Sequence, residues 1–153
     1  MASCRNLRYD PATGVVKKEQ VAYRAGLPPG GWKAVEMGEN DVAFFNPRTL
    51  AVIAANATCA PRADTPLRVL LNHLLFGFTD RKVLSEETVQ LDGREALKAR
   101  VSARLDGVPR MFSIYILKKD GCIFDLQYHA PEAGFEEGVP AFEAFVRSFG
   151  TLR

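Results

Sequence analysis

Near the end of the chain, the run CIFDLQYHA places Cys122, Asp125 and His129 close together. A thiol, a carboxylate and an imidazole are the parts of a nucleophile, an orienting acid and a base. An extended strand would hold them apart. Successive side chains point to opposite faces, so Cys122 faces away from Asp125 and His129. Four residues of strand also separate Asp125 from His129 by about 13 Å. That is beyond hydrogen-bond reach. A Cys–His dyad is therefore not expected. What remains is a polar row, Asp125, Gln127 and His129, on one face of a strand with apolar neighbours. It is read first as a wet strand edge beyond a covering helix, and alternatively as the wall of a small polar pocket.

Other chemistry is not signalled. The chain has no G-x-S-x-G, H-E-x-x-H, C-x-x-C, P-loop or G-x-G-x-x-G pattern. No spacing gathers three metal ligands. Its two histidines are His73 and His129, and His73 is read as the boundary residue of a helix. The sequence is thus read as non-catalytic, with no cofactor and no metal. Trp32, the single tryptophan, follows the turn-forming PPGG. A lone Trp beside a loop either joins the core or anchors a partner.

There are three cysteines, Cys4, Cys59 and Cys122. Cys59 ends one predicted strand and Cys122 begins another, so a bridge between them would not distort a ladder. It would close a loop of about sixty residues and stabilise by roughly 4 kcal/mol in the chain-entropy model. The alternative is two separate buried thiols. Cys4 follows Met-Ala-Ser. Ala-Ser-Cys resembles the end of a bacterial lipobox, in which small residues precede a cysteine that becomes the lipidated N-terminus. The usual Leu, basic and apolar regions do not precede it, so Met1–Ser3 is read either as native or as the start of a shortened precursor. One lipidated and two bridged cysteines imply an oxidising envelope compartment, on the periplasmic side. The alternative is a cytoplasmic chain with an incidental Cys4.

Composition sets the bounds. The 153 residues suit one domain with a full core; 47% are hydrophobic and 25% charged, as in ordinary globular proteins. A net charge of +2 with scattered Lys and Arg does not suggest nucleic acid. No apolar run is long enough to span a bilayer, so membrane contact is expected only through the lipid at Cys4.

The elements that must position these residues are legible in the second half. Asp92-Gly93, Asp106-Gly107 and Asp120-Gly121 each sit between β-rich runs. Asp-Gly supplies the two positive-φ residues of a type I′ hairpin turn. Three such hairpins predict a four-stranded antiparallel meander. Two-residue turns then fix the register. Lys119 faces Cys122, Leu117 faces Phe124, Tyr115 faces Leu126, and Glu87 faces Lys98 as an opposite-charge pair. WKAVE, DVAFFN and LAVIAANAT predict strands in the first half, and VAYRAGL another. A helix is predicted in ADTPLRVLLNHLLFGF, capped by Asp64 or Thr65 with Pro66 in its first turn. Its buried stripe is Leu67, Leu70, Leu71, Leu74 and Leu75. A second helix is predicted in VPAFEAFVRSF, with Pro140 in its first turn. Residues 1–19 read as an N-terminal tether, and 20–153 as a single α+β domain. Its largely antiparallel sheet carries large apolar groups on both faces, which predicts a three-layer α/β/α sandwich.

The run YRAGLPPGGW, the Asp92-Gly93-Arg94 triplet and the order of elements over residues 21–150 resemble the PsbP/Mog1-like group of α+β domains, a plan that small bacterial envelope lipoproteins share. The resemblance implies binding or assembly rather than catalysis. The expected role is a non-catalytic envelope lipoprotein domain that binds an unidentified protein partner, through an exposed aromatic patch at Trp32, Phe44 or Phe135. The alternative is a small-ligand-binding domain with a pocket beside the sheet, near Asp125 and Gln127.

Overall fold

The computed structural model describes residues 7–59 and 64–152. The fold is sheet-rich α+β with two helices. Among the described residues, eleven strands form two antiparallel sheets. The small sheet runs β1 (Arg8–Asp10), β2 (Val15–Lys17), β3 (Ala22–Arg24) and β11 (Gly150–Leu152). The large sheet has seven strands in the order β4 (Lys33–Val35), β5 (Val42–Asn46), β6 (Ala51–Cys59), β10 (Cys122–Ala130), β9 (Val108–Lys119), β8 (Arg94–Leu105) and β7 (Thr79–Leu91).

The meander is β7 to β10, and its three turns are the Asp-Gly pairs. Asp92, Asp106 and Asp120 all take positive φ, as do Gly93, Gly107 and Gly121. The register follows from the turns: Cys122 pairs with Lys119, Phe124 with Leu117, Leu126 with Tyr115, and Glu87 with Lys98.

Both faces of the large sheet are covered. Helix α1 (Leu67–Leu74) lies on one face, where Leu71 and Leu75 pack with Val101, Phe112, Ile114 and Ile116. Helix α2 (Phe135–Ser148) lies on the other face with the small sheet. There Phe142, Phe145, Val16 and Tyr23 close over Phe44, Phe124 and Tyr128. The middle layer is therefore buried from both sides.

Three boundaries differ from the sequence reading. Residues 8–17 are not a tether within the described chain: they form β1 and β2, and Val16 is completely buried. Two three-residue strands carry too few alternations to be read as strands. At α1, neither Asp64 nor Thr65 caps the helix. Pro66 holds the cap position in an extended conformation, and its carbonyl accepts the first bonds, from Val69 and Leu70. At α2 the helix starts at Phe135, so Pro140 lies inside it rather than in a first turn. The burial of Phe135, Phe142 and Phe145 holds the helix through the proline.

Gly138 explains why the helix can begin so early. The Tyr128 hydroxyl donates to the Phe135 carbonyl at 2.7 Å. Its ring lies so close that a Cβ at Gly138 would run into the hydroxyl. Gly138→Ala is expected to lower the unfolding free energy by about 2 kcal/mol, the cost of overpacking a rigid site, although alanine favours helix. Urea unfolding checks this; an unchanged midpoint would show that the ring moves aside freely.

A polar cleft beside the sheet

Strand β5 begins at Val42, opposite Ala55, whereas β6 continues to Cys59. Beyond Ala55 one edge of β6 therefore lacks a strand partner on the β5 side. Two side chains take its place. The Ala57 N–H donates to Asp41 Oδ2 at 2.9 Å, and Lys18 Nζ donates to the Ala57 carbonyl at 2.6 Å. Lys18 Nζ also pairs with Asp41 Oδ1 at 2.9 Å. The Tyr23 hydroxyl adds a bond to Asp41 Oδ2 at 2.8 Å, reaching it from the small sheet. Among the described residues, the buried Asp41 side chain thus accepts from Ala57, Tyr23 and Lys18.

Asn56 links this edge to β10. It pairs with Asp125 across the ladder. Its Oδ1 accepts the Asp41 N–H at 2.8 Å, and its Nδ2 donates to Asn40 Oδ1 at 2.7 Å and to Asp125 Oδ1 at 3.3 Å. Gln127 Nε2 donates to the same Asp125 oxygen at 2.8 Å. Asp125 is buried, only 6% exposed as a residue. Burial pushes its pKa up and the nearby Asp41 adds to that; the amides of Gln127 and Asn56, and Lys18, pull the other way. Around this cluster lies an open cleft of about 470 Å³, closed on one side by Leu74 at the end of α1.

The polar row of the sequence reading therefore divides. Asp125 and Gln127 come together in the cleft wall. His129 does not join them. Its ring tilts against Phe112, at 5.0 Å between centroids, and its Nδ1 accepts from Arg110 Nε at 3.1 Å. Arg110 also donates to the carbonyls of His129 and Leu50. Burial, with the guanidinium beside it, lowers the His129 pKa to about 4, so the ring is neutral near pH 7.

Trp32 is a core residue, 7% exposed, with its ring edge-on to Tyr128. Phe44 and Phe135 are buried as well. An aromatic docking patch at these three residues is ruled out, because the two sheets and α2 close over them. Cys59 and Cys122 form a disulfide at the ends of β6 and β10, where the two residues are direct ladder partners. Cys4 lies outside the described residues. Among those described, no helix is long and apolar enough to cross a membrane, and no group of three or more metal-ligating side chains occurs.

Lys18, Asp41 and Asn56 were not singled out from sequence. Lys18 sits in the segment read as a tether, and Asp41 in a turn. Asn56 gave a usable signal. It interrupts the apolar run AVIAANA, and a buried polar residue in a central strand needs a partner.

No family model matches the chain, and no curated protein matches it. Solved structures do. LpqN of Mycobacterium tuberculosis, described as involved in cell envelope biogenesis, is 14% identical with a TM-score of 0.62; the match covers 97% of this chain and 91% of that one. Cyanobacterial PsbP from Synechocystis is 15% identical with a TM-score of 0.57, over 97% of both chains. A protein of unknown function from Pseudomonas aeruginosa is 11% identical with a TM-score of 0.56, over 95% of this chain and 96% of that one. The chain has a PsbP-like fold, as the sequence resemblance implied. At these identities the likeness concerns the fold, and function must be argued from the site.

Proposed function

We propose that this chain is a non-catalytic binding domain of the bacterial envelope, which takes a small ligand or one group of a larger one in the cleft at Asp125. The observation that carries this reading is the arrangement of the cleft wall. Lys18, Asp41, Asn56, Asp125 and Gln127 come from separate parts of the chain and converge on one open space of about 470 Å³. Convergent polar groups in a concave site are what orient a ligand and give it specificity. The disulfide supports an oxidising compartment, and the envelope role printed for LpqN agrees with it. Lipid attachment at Cys4 belongs to the same proposal and rests on the Ala-Ser-Cys run.

Two measurements test it. In 15N-resolved NMR, a library of small polar fragments of every charge type should shift the amides of Asn40, Asn56, Asp125 and Gln127. Hits scattered over other surfaces, or none, would remove the cleft from the proposal. The N-terminal peptide from native membranes should carry the mass of an acylated Cys4; an unmodified peptide would remove the anchor.

A role in binding a protein partner stands as a second reading, favoured by one observation. Phe76, just past the end of α1, is 84% exposed. Phe76→Ser is expected to change stability by less than about 0.5 kcal/mol. A photo-crosslinker at position 76 should capture a discrete partner in cells; its absence there would leave the cleft reading alone.

A further inference from the structure

A donor and acceptor inventory of the cleft names the chemistry of its ligand. This step rests on the cleft reading above. Each amide or ammonium group of the cluster donates at least one hydrogen bond within the protein. Both hydrogens of Asn56 Nδ2 are engaged, by Asn40 and Asp125. Asn40 Nδ2 donates to the Met37 carbonyl at 2.8 Å. Gln127 Nε2 donates to Asp125. The Lys18 ammonium is held by Asp41 and the Ala57 carbonyl, which fixes it against the β6 edge.

The acceptors are not used up. Asp125 Oδ1 takes two hydrogen bonds, while among the described residues no donor reaches Oδ2. Oδ2 is also not among the sealed polar atoms that lack a partner; Thr49 Oγ1 is the one such atom among the described residues. Oδ2 therefore stays open to the cleft that Asp125 lines. The amide oxygen of Gln127, which also lines the cleft, accepts from no described residue either. Charge points the same way. Lys18 bonds Asp41 directly, and no ion pair to Asp125 forms among the described residues.

We propose that the cleft binds a primary ammonium group, with Asp125 Oδ2 as its anionic acceptor and the Gln127 amide oxygen as its second. The geometry selects ammonium over guanidinium. A guanidinium prefers to grip both oxygens of a carboxylate at once, and Oδ1 is already occupied by two amides. An ammonium is a compact donor of three hydrogens: one can go to Oδ2, a second to the Gln127 carbonyl, and the third stays with solvent in the open cleft.

The experiment is an NMR titration of the intact chain with four probes of one size: n-butylamine, butylguanidine, butanol and butyrate. n-Butylamine should shift the amides of Asn56, Asp125 and Gln127 and bind about tenfold or more tighter than the other three, as a charge-assisted bond to one oxygen predicts. Asp125→Asn, which keeps the shape and both amide partners, should weaken n-butylamine by about tenfold or more. The probe comparison on the unaltered chain needs no variant, so a folding failure of Asp125→Asn leaves the test intact. Shifts at the same residues from butanol, butyrate or butylguanidine, at equal or higher affinity, would overturn the ammonium assignment and keep the cleft. No shift there from any probe or fragment would overturn both. A further arm compares Nα-acetyl-lysine methylamide with n-butylamine. Tighter binding of the lysine derivative places the ammonium on a partner protein's lysine, and equal binding places it on a free amine.

Discussion

Replacing Cys59 and Cys122 together by alanine is expected to lower the unfolding free energy by about 4 kcal/mol. The two residues are 63 positions apart in sequence, and the bridge ties the end of β6 to the start of β10. A closed loop of that length removes roughly 4 kcal/mol of conformational freedom from the unfolded chain. The ladder already sets these residues side by side, as direct partners. The melting temperature should fall by about 10 °C in a domain of this size. Reductant should reproduce the effect in the unaltered chain and leave the alanine variant unmoved. A loss below about 1 kcal/mol would mean that the unfolded chain is compact enough, without the bridge, to make the cross-link redundant.

The same bridge shows what the sequence could carry. Its two cysteines were legible as strand ends, because Asp120-Gly121 fixes where β10 begins and the Pro-containing stretch after Cys59 ends β6. The meander was legible for a local reason: an Asp-Gly pair needs positive φ at both positions, and one hairpin geometry supplies it. What stayed hidden depends on distant contacts. β1 and β2 are three residues each, and contacts with distant residues make that segment part of the fold: Val16 is buried in the core and Tyr9 packs edge-on to Phe44. Gly138 and Pro140 look like helix breakers in isolation. In the fold the glycine is the space that Tyr128 occupies, and the phenylalanines around the proline hold the helix through it. The cleft is half legible in the same sense. Alternation along one strand puts Asp125 and Gln127 on one face, but the partners that make them a site come from far away. Lys18 lies 39 positions from the Ala57 carbonyl that it binds, and Asn56 lies 69 from Asp125. His129 shares their face and still belongs elsewhere, because Arg110 on the neighbouring strand claims its ring nitrogen.

That claim sets the second large effect, a loss of stability in mild acid. In the folded chain His129 binds its proton only near pH 4, whereas an unfolded histidine binds it near 6.5. The unfolded state therefore takes up the proton first as pH falls. The contribution of His129 is fully present above about pH 6.5, declines between about 6.5 and 4, and is gone below. The gap corresponds to about 3 kcal/mol. Its cause is structural: a protonated ring would lose its bond from Arg110 and face the guanidinium instead, in a partly buried site against Phe112. Two carboxyls complicate the raw curve. Asp92, whose pKa is lowered by bonds from Thr151 and Lys119 against the opposing effect of burial, adds a loss at lower pH, below the ordinary carboxylate value. Asp125, whose pKa is raised, acts with the opposite sign just above that value. A His129→Gln variant removes the ambiguity, since glutamine offers Arg110 an acceptor and does not titrate. Between about pH 7 and about pH 4.5 the unaltered chain should lose about 2.5 kcal/mol more than the variant in urea unfolding. Parallel curves would mean that Arg110 swings away when the ring takes its proton, and that the Arg110–His129 contact adds nothing to the stability of the fold.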